Sequence, residues 1–332
     1  MRTILIIVMM HGMTDFHPSP GRLPRRGLLA LPTLALPTLA LPTLALPTLL
    51  LPALVSPGVL AAAPVALPLS EAQTTRLVTI GGAVTETVYA LGQGHRIVAV
   101  DTTSLYPPEA LREKKSVGYM RALSAEGVLS VDPTAILLID GAGPPAVVEQ
   151  LRRSAVPVVP VDGTPTPEAV SERARFLGRA LNVAPRGEAL ALRIEAGFAT
   201  LATARAKEKR RPRVMFVLSL RGGRPLAAGR DTAADAMIAL AGGDNVLADF
   251  KGYKALTDEA VIQAAPEIVL MMDGGEGTAT RDSVLAMPAF QATPAGRAKA
   301  VVSLDGETLL GFGPRTPETA LSLAQRFAAL VR

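Results

Sequence analysis

No cysteine occurs anywhere in the 332 residues, which excludes disulfides, thiolate metal sites and a cysteine nucleophile. Histidine is nearly as scarce: His11 and His17 fall in the first 66 residues and leave His95 alone in the body. A multi-histidine metal site within the body of one chain is therefore outside its inventory. Aromatic residues make up 4% and charged residues 19%, against 49% apolar, a balance that favours compact α/β packing over disorder. The formal charge of +5 is uneven: four arginines against one aspartate put +3 in the first 66 residues and leave +2 for the rest. With no Lys/Arg stripe interleaved with aromatics, no nucleic-acid surface is expected.

The N-terminal stretch is instead an export signal in layout. Arg22, Arg25 and Arg26 precede a long Leu/Ala-rich run that ends in small residues at Ala61, Ala62 and Ala63, where a cut is expected. Prolines at 32, 37, 42, 47, 52 and 57 break helix hydrogen bonding every five residues and argue against the competing reading, a spanning anchor. Arg25-Arg26 leaves both a twin-arginine and a general secretory route open.

From residue 76 onward, short apolar runs at 77–80, 97–100, 135–139 and 156–161 alternate with helix-length segments, the pattern of a mostly parallel sheet covered by helices. Gly81-Gly82 is followed by no Lys-Ser/Thr, so a phosphate loop is not expected. Residues 185–211 hold no proline after Pro185, and Leu190, Ile194, Phe198 and Leu201 keep helical spacing. The pattern then restarts with strands at 214–218, 268–272 and 301–304 and a helix over 317–330. The fold class predicted is α/β, two doubly wound lobes joined by one long α-helix with a ligand cleft between them. The predicted boundaries are a leader over 1–66, a first lobe over 76–184, a bridging helix over 185–211 and a second lobe over 212–332.

The halves share a stretch. Gly118-Tyr119-Met120-Arg121-Ala122-Leu123-Ser124-Ala125-Glu126 reappears, one residue shorter, as Gly252-Tyr253-Lys254-Ala255-Leu256-Thr257-Asp258-Glu259. Each puts a tyrosine and a nearby cation in a loop before a helix start, and Tyr119 falls on the sheet edge where open α/β proteins bind ligands. With cysteine gone and one histidine left, the chemistry available is tyrosine, carboxylate and methionine. A phenol is a poor base, but a neighbouring cation such as Arg121 favours the phenolate, a hard oxygen ligand suited to Fe(III) haem. Arg121, and from the other half Lys254, Arg224 and Arg230, could hold that oxygen or a haem propionate. On the residues alone, a packing role for each Gly-Tyr stays open beside this one. Glu86 and Asp235, acids near the starts of matching helices, read either as dipole-stabilising residues or as partners for external arginines.

Four stretches carry a resemblance: Thr85-Glu86-Thr87-Val88-Tyr89-Ala90-Leu91-Gly92, the Gly118-Tyr119-Met120-Arg121 region through Gly127, residues 229–243, and Phe250-Lys251-Gly252-Tyr253. Over residues 76–330 the chain resembles the haem-binding periplasmic proteins of bacterial ABC importers, within the helix-linked (class III) metal-chelate binding proteins. The resemblance implies a non-enzymatic, monomeric periplasmic protein that captures ferric haem b and delivers it to an inner-membrane permease/ATPase complex, with an outer-membrane haem receptor feeding it indirectly. It implies Tyr119 as axial iron ligand assisted by Arg121, Tyr253 with a basic neighbour (Lys254 or Arg230) closing from the second lobe, and Glu86 and Asp235 docking on the transmembrane subunits. Because residues 162–167 contain no histidine, one haem is expected. The alternatives are a ferric siderophore or corrinoid binder of the same fold and, from another class, a tetrapyrrole-acting enzyme.

Overall fold

A computed structural model describes residues 67–273 and 279–331; the predicted leader over 1–66 lies outside the described residues. In the first half, short strands alternate with helices in chain order. They are β1 (Leu77–Ile80), α1 (Gly82–Ala90), β2 (Ile97–Val100), α2 (Glu109–Glu113), β3 (Lys115–Ser116), α3 (Ala125–Leu129), β4 (Ala135–Ile139), α4 (Pro145–Arg152), β5 (Val158–Val161) and α5 (Pro167–Ala180). All five strands are parallel in the order β3-β2-β1-β4-β5. β1 and β4 are buried along their whole length, as strands with both faces covered by helices must be.

Next comes α6 (Ala184–Arg205), 22 residues or about 33 Å at 1.5 Å per residue. It lies antiparallel to α5 at very close range, since a Cβ on Gly178 would stand 2.7 Å from the Cα of Gly187; only glycine permits that approach. The helix ends at Arg205 rather than continuing to 211. Continued, it would stack Lys207 on Arg211 one turn apart, a repulsive spacing. Unwound, Arg210 pairs with Glu267 and Arg211 with Asp244, the latter at 2.6 Å.

The second half holds β6 (Arg213–Arg221), β7 (Arg224–Ala228), α7 (Ala233–Leu240), β8 (Asp244–Asn245), β9 (Tyr253–Ala255), α8 (Asp258–Ala264), β10 (Ile268–Asp273), α9 (Arg281–Leu285), α10 (Pro288–Gln291), α11 (Pro294–Ala298), β11 (Val301–Asp305), α12 (Gly306–Leu310) and α13 (Thr316–Leu330). Its sheet is mixed, in the order β11-β10-β6-β7-β9 with β8 on β6. The first three of these run parallel, and β7 pairs antiparallel with both β6 and β9. Gly222 and Gly223 form the turn of the β6–β7 hairpin. One continuous apolar core includes Leu77 and Leu137 of the first sheet, Leu190, Ile194 and Leu201 of α6, and Val214 and Phe216 of the second. Among the described residues no helix is long and apolar enough to cross a membrane.

Candidate ligand-binding site

In the first lobe the chain leaves β3 at the sheet edge and passes through Gly118, Tyr119, Met120 and Arg121 before α3. Gly118 has φ 90° with open space around its Cα, so conformation rather than crowding requires glycine there. The loop is pinned by its backbone: Gly118 O accepts from Thr102 N at 2.9 Å, Met120 O accepts from Gly143 N at 2.9 Å, and Leu123 N donates to Gly143 O at 3.0 Å. It is therefore tied both to the loop after β2 and to the loop after β4, across the point where the strand order reverses and ligands of open α/β sheets bind. Ser124 closes it by capping α3, accepting from Gly127 N.

The second lobe presents its tyrosine differently. Gly252 again is left-handed, at φ 72° with open space, yet Tyr253 is the first residue of edge strand β9, opposite Ala228. The predicted loop placement holds for Tyr119 and not for Tyr253. Backbone bonds from Gly252 N to Arg230 O (3.0 Å) and from Arg230 N to Phe250 O (2.9 Å) set Arg230 beside this tyrosine. Thr257 caps the following helix, α8, as Ser124 caps α3.

Tyr253 is 38% exposed, but its hydroxyl is more enclosed than that figure suggests. Burial raises its pKa above the ordinary 10, the Arg121 guanidinium partly opposes this, and the Tyr119 phenol raises it further. Tyr119 and Arg121 of the first lobe are thus close enough for their charges to register on the Tyr253 hydroxyl. Tyr253 is held as a neutral phenol at neutral pH, a hydrogen-bond donor. Arg121, Arg230 and Lys254 are exposed; Lys254 Nζ stands 5.8 Å from the Phe250 ring. Among the described residues no side-chain hydrogen bond or ion pair engages Arg121 or Arg230, leaving both cations available to an anionic ligand. Nor does any group of three or more His, Cys, Asp or Glu there stand close enough to hold a metal ion.

The two acids expected to meet a partner are engaged within the chain. Glu86 is 4% exposed, and both its oxygens accept from Arg315, at 3.0 Å from Nε and 3.2 Å from Nη2. Helix α1 turns this carboxylate towards the second lobe rather than outward. Asp235 is half-buried, and its Oδ1 accepts from Asn245 Nδ2 at 2.9 Å. Sequence reasoning also missed Asp101. This buried carboxylate accepts from Gly81 N, Thr103 N, Thr103 Oγ1 and Ser104 Oγ at 2.6–3.0 Å and so caps α1 from the neighbouring strand. The nearby hydroxyls of Thr79 and Thr85 bond each other at 2.7 Å.

Comparison with known proteins follows the same lines. Residues 77–308 match the family described as periplasmic binding protein. Among solved structures, the periplasmic heme-binding protein BhuT, in complex with two hemes, is 41% identical with a TM-score of 0.73, covering 77% of this chain and 99% of that one. The periplasmic heme-binding protein RhuT from Roseiflexus sp. RS-1 is 37% identical with a TM-score of 0.74, covering 78% and 100%. The vitamin B12-binding protein of Yersinia pestis is 24% identical over 275 residues, 82% of this chain and 92% of that protein. Two lobes on a linking helix and a family match spanning both lobes lead to one assignment: this chain is a member of the periplasmic binding protein family.

Proposed function

We propose that the protein binds ferric haem in the periplasm and delivers it to an inner-membrane ABC importer. The observation that carries this reading is the nearness of Tyr119 and Arg121, in the first lobe, to the Tyr253 hydroxyl of the second. Tyr119 fits the iron ligand, a hard phenol oxygen suited to Fe(III). Tyr253, kept neutral, fits a donor from the opposite side. Arg230 and Lys254, from the second lobe, fit the propionates. The names of the 41% and 37% identical structures support the same ligand.

A corrinoid is the second reading, favoured by the vitamin B12-binding relatives. Equilibrium competition separates the two: hemin should bind at least about a hundredfold more tightly than cyanocobalamin, about 2.7 kcal/mol. Tight cyanocobalamin binding with weak hemin binding would reverse the assignment.

For docking, the internal engagement of Glu86 and Asp235 shifts the proposal to Glu126 and Glu259. These occupy matching places in the duplicated stretch, in the first turns of α3 and α8, and both are exposed. Hydrogen bonds from its own backbone N–H and from the Thr257 hydroxyl hold the Glu259 carboxyl below the ordinary range, so it is ionised at neutral pH. Two such anions, one per lobe, suit a pair of arginines on a two-fold permease.

A further inference from the structure

A single helix between lobes fixes their spacing but leaves rotation about its own axis. Here a second attachment exists. The stretch from α12 through Arg315 belongs to the second lobe, yet its polar groups are satisfied largely by the first. Arg315 donates to Glu86 through its backbone N at 3.1 Å as well as through its guanidinium, and that guanidinium lies over the Tyr106 ring, 3.5 Å from its centroid. Three residues back, the Phe312 carbonyl accepts from Arg173 Nη1 of α5 at 2.6 Å; Arg173 Nε in turn donates to Asp162 O at 2.7 Å. Arg173 is 2% exposed. The Glu307 carboxylate lies against the start of α1, where a Cβ on Gly82 would come within 2.7 Å of Oε1. Three first-lobe elements, α1, α5 and the loop after β2, are thus held by one short second-lobe segment.

We infer that Glu86 and Arg173, gripping Arg315 and Phe312, are positioning residues: a clasp that fixes the rotation of the second lobe and with it the separation of Tyr119 from Tyr253. Removing one member of such a buried pair leaves an uncompensated charge, so the clasp is costly to loosen and the lobes keep one orientation. Its consequence for ligand retention rests on the haem reading; the clasp itself does not.

The absence of cysteine makes the test direct. Spin labels attached at Ser130→Cys and Gln263→Cys, exposed sites on the α3 and α8 sides, report the lobe-to-lobe distance in the ligand-free protein by pulsed dipolar spectroscopy. The expected result is one narrow distance for the otherwise unaltered chain, a broadened or shifted distribution for Glu86→Gln, and an intermediate one for Arg315→Lys, which keeps the cation and loses the fork. Hemin loaded on Glu86→Gln should dissociate about tenfold faster, one decade in affinity, with its absorption maxima unchanged because Tyr119 is untouched. If Glu86→Gln does not fold, Arg315→Lys decides on the same distance criterion. Distributions identical to the parent's overturn the clasp. Failure of the parent to bind hemin overturns the haem reading alone, since the distances are measured without ligand.

Discussion

Glu307 departs far from the ordinary state of a carboxyl group. It is buried, and neither carboxylate oxygen has a well-aligned hydrogen-bond partner among the described residues. Burial first, then the Glu86 charge, push its pKa from 4.5 up to about 8; Arg315 and the nearby backbone N–H groups of Leu105 and Tyr106 only partly offset this. At neutral pH it is therefore mostly protonated in the folded protein and ionised in the unfolded chain. Its contribution to stability is fully present below about pH 4.5 and is lost as pH rises towards 8, with a slope approaching about 1.4 kcal/mol per pH unit. Urea midpoints collected across that range should show Glu307→Gln with a shallower decline than the parent. Superimposable profiles would mean the folded carboxyl titrates normally.

At the scale of elements, most of the fold was legible because its signals were local. Buried parallel strands read as short apolar runs, and β1, β2 and β4 occupy the residues the sequence assigned. Glycine stands at both tyrosine turns because φ is positive at Gly118 and Gly252. What was not legible depends on contacts distant in sequence. Nothing near Glu86 indicates Arg315, 229 positions away, so an acid near a helix start reads as outward-facing when it is turned inward. Asp101 looked like an ordinary residue after a strand because the groups it satisfies belong to the start of α1 and to its own loop. The end of α6 was misread for the opposite reason: the basic run over 207–211 suits a helix C-terminus, but partners in the second lobe, Glu267 and Asp244, draw it out of the helix.

For the whole molecule, attachment at two places, through α6 and through the Phe312–Arg315 segment, makes the two lobes one body with a fixed cleft. A rigid receptor of this kind must be recognised by shape and charge at the rim of both lobes together. In vesicles carrying the cognate permease and ATPase, Glu126→Ala and Glu259→Ala should each leave hemin affinity unchanged while lowering uptake, and the double variant should lower it more than either. Full uptake by the double variant would remove these acids from the docking surface.

The central claim is that Tyr119, and not Tyr253, binds the iron. The most direct measurement is the absorption spectrum and affinity of ferric haem on three proteins: the parent, Tyr119→Phe and Tyr253→Phe. The account predicts that Tyr119→Phe loses the phenolate-to-iron band and weakens binding by at least about tenfold, about 1.4 kcal/mol. Tyr253→Phe should keep the band with a smaller loss. A parent-like spectrum from Tyr119→Phe, or loss of the band in Tyr253→Phe alone, would contradict it.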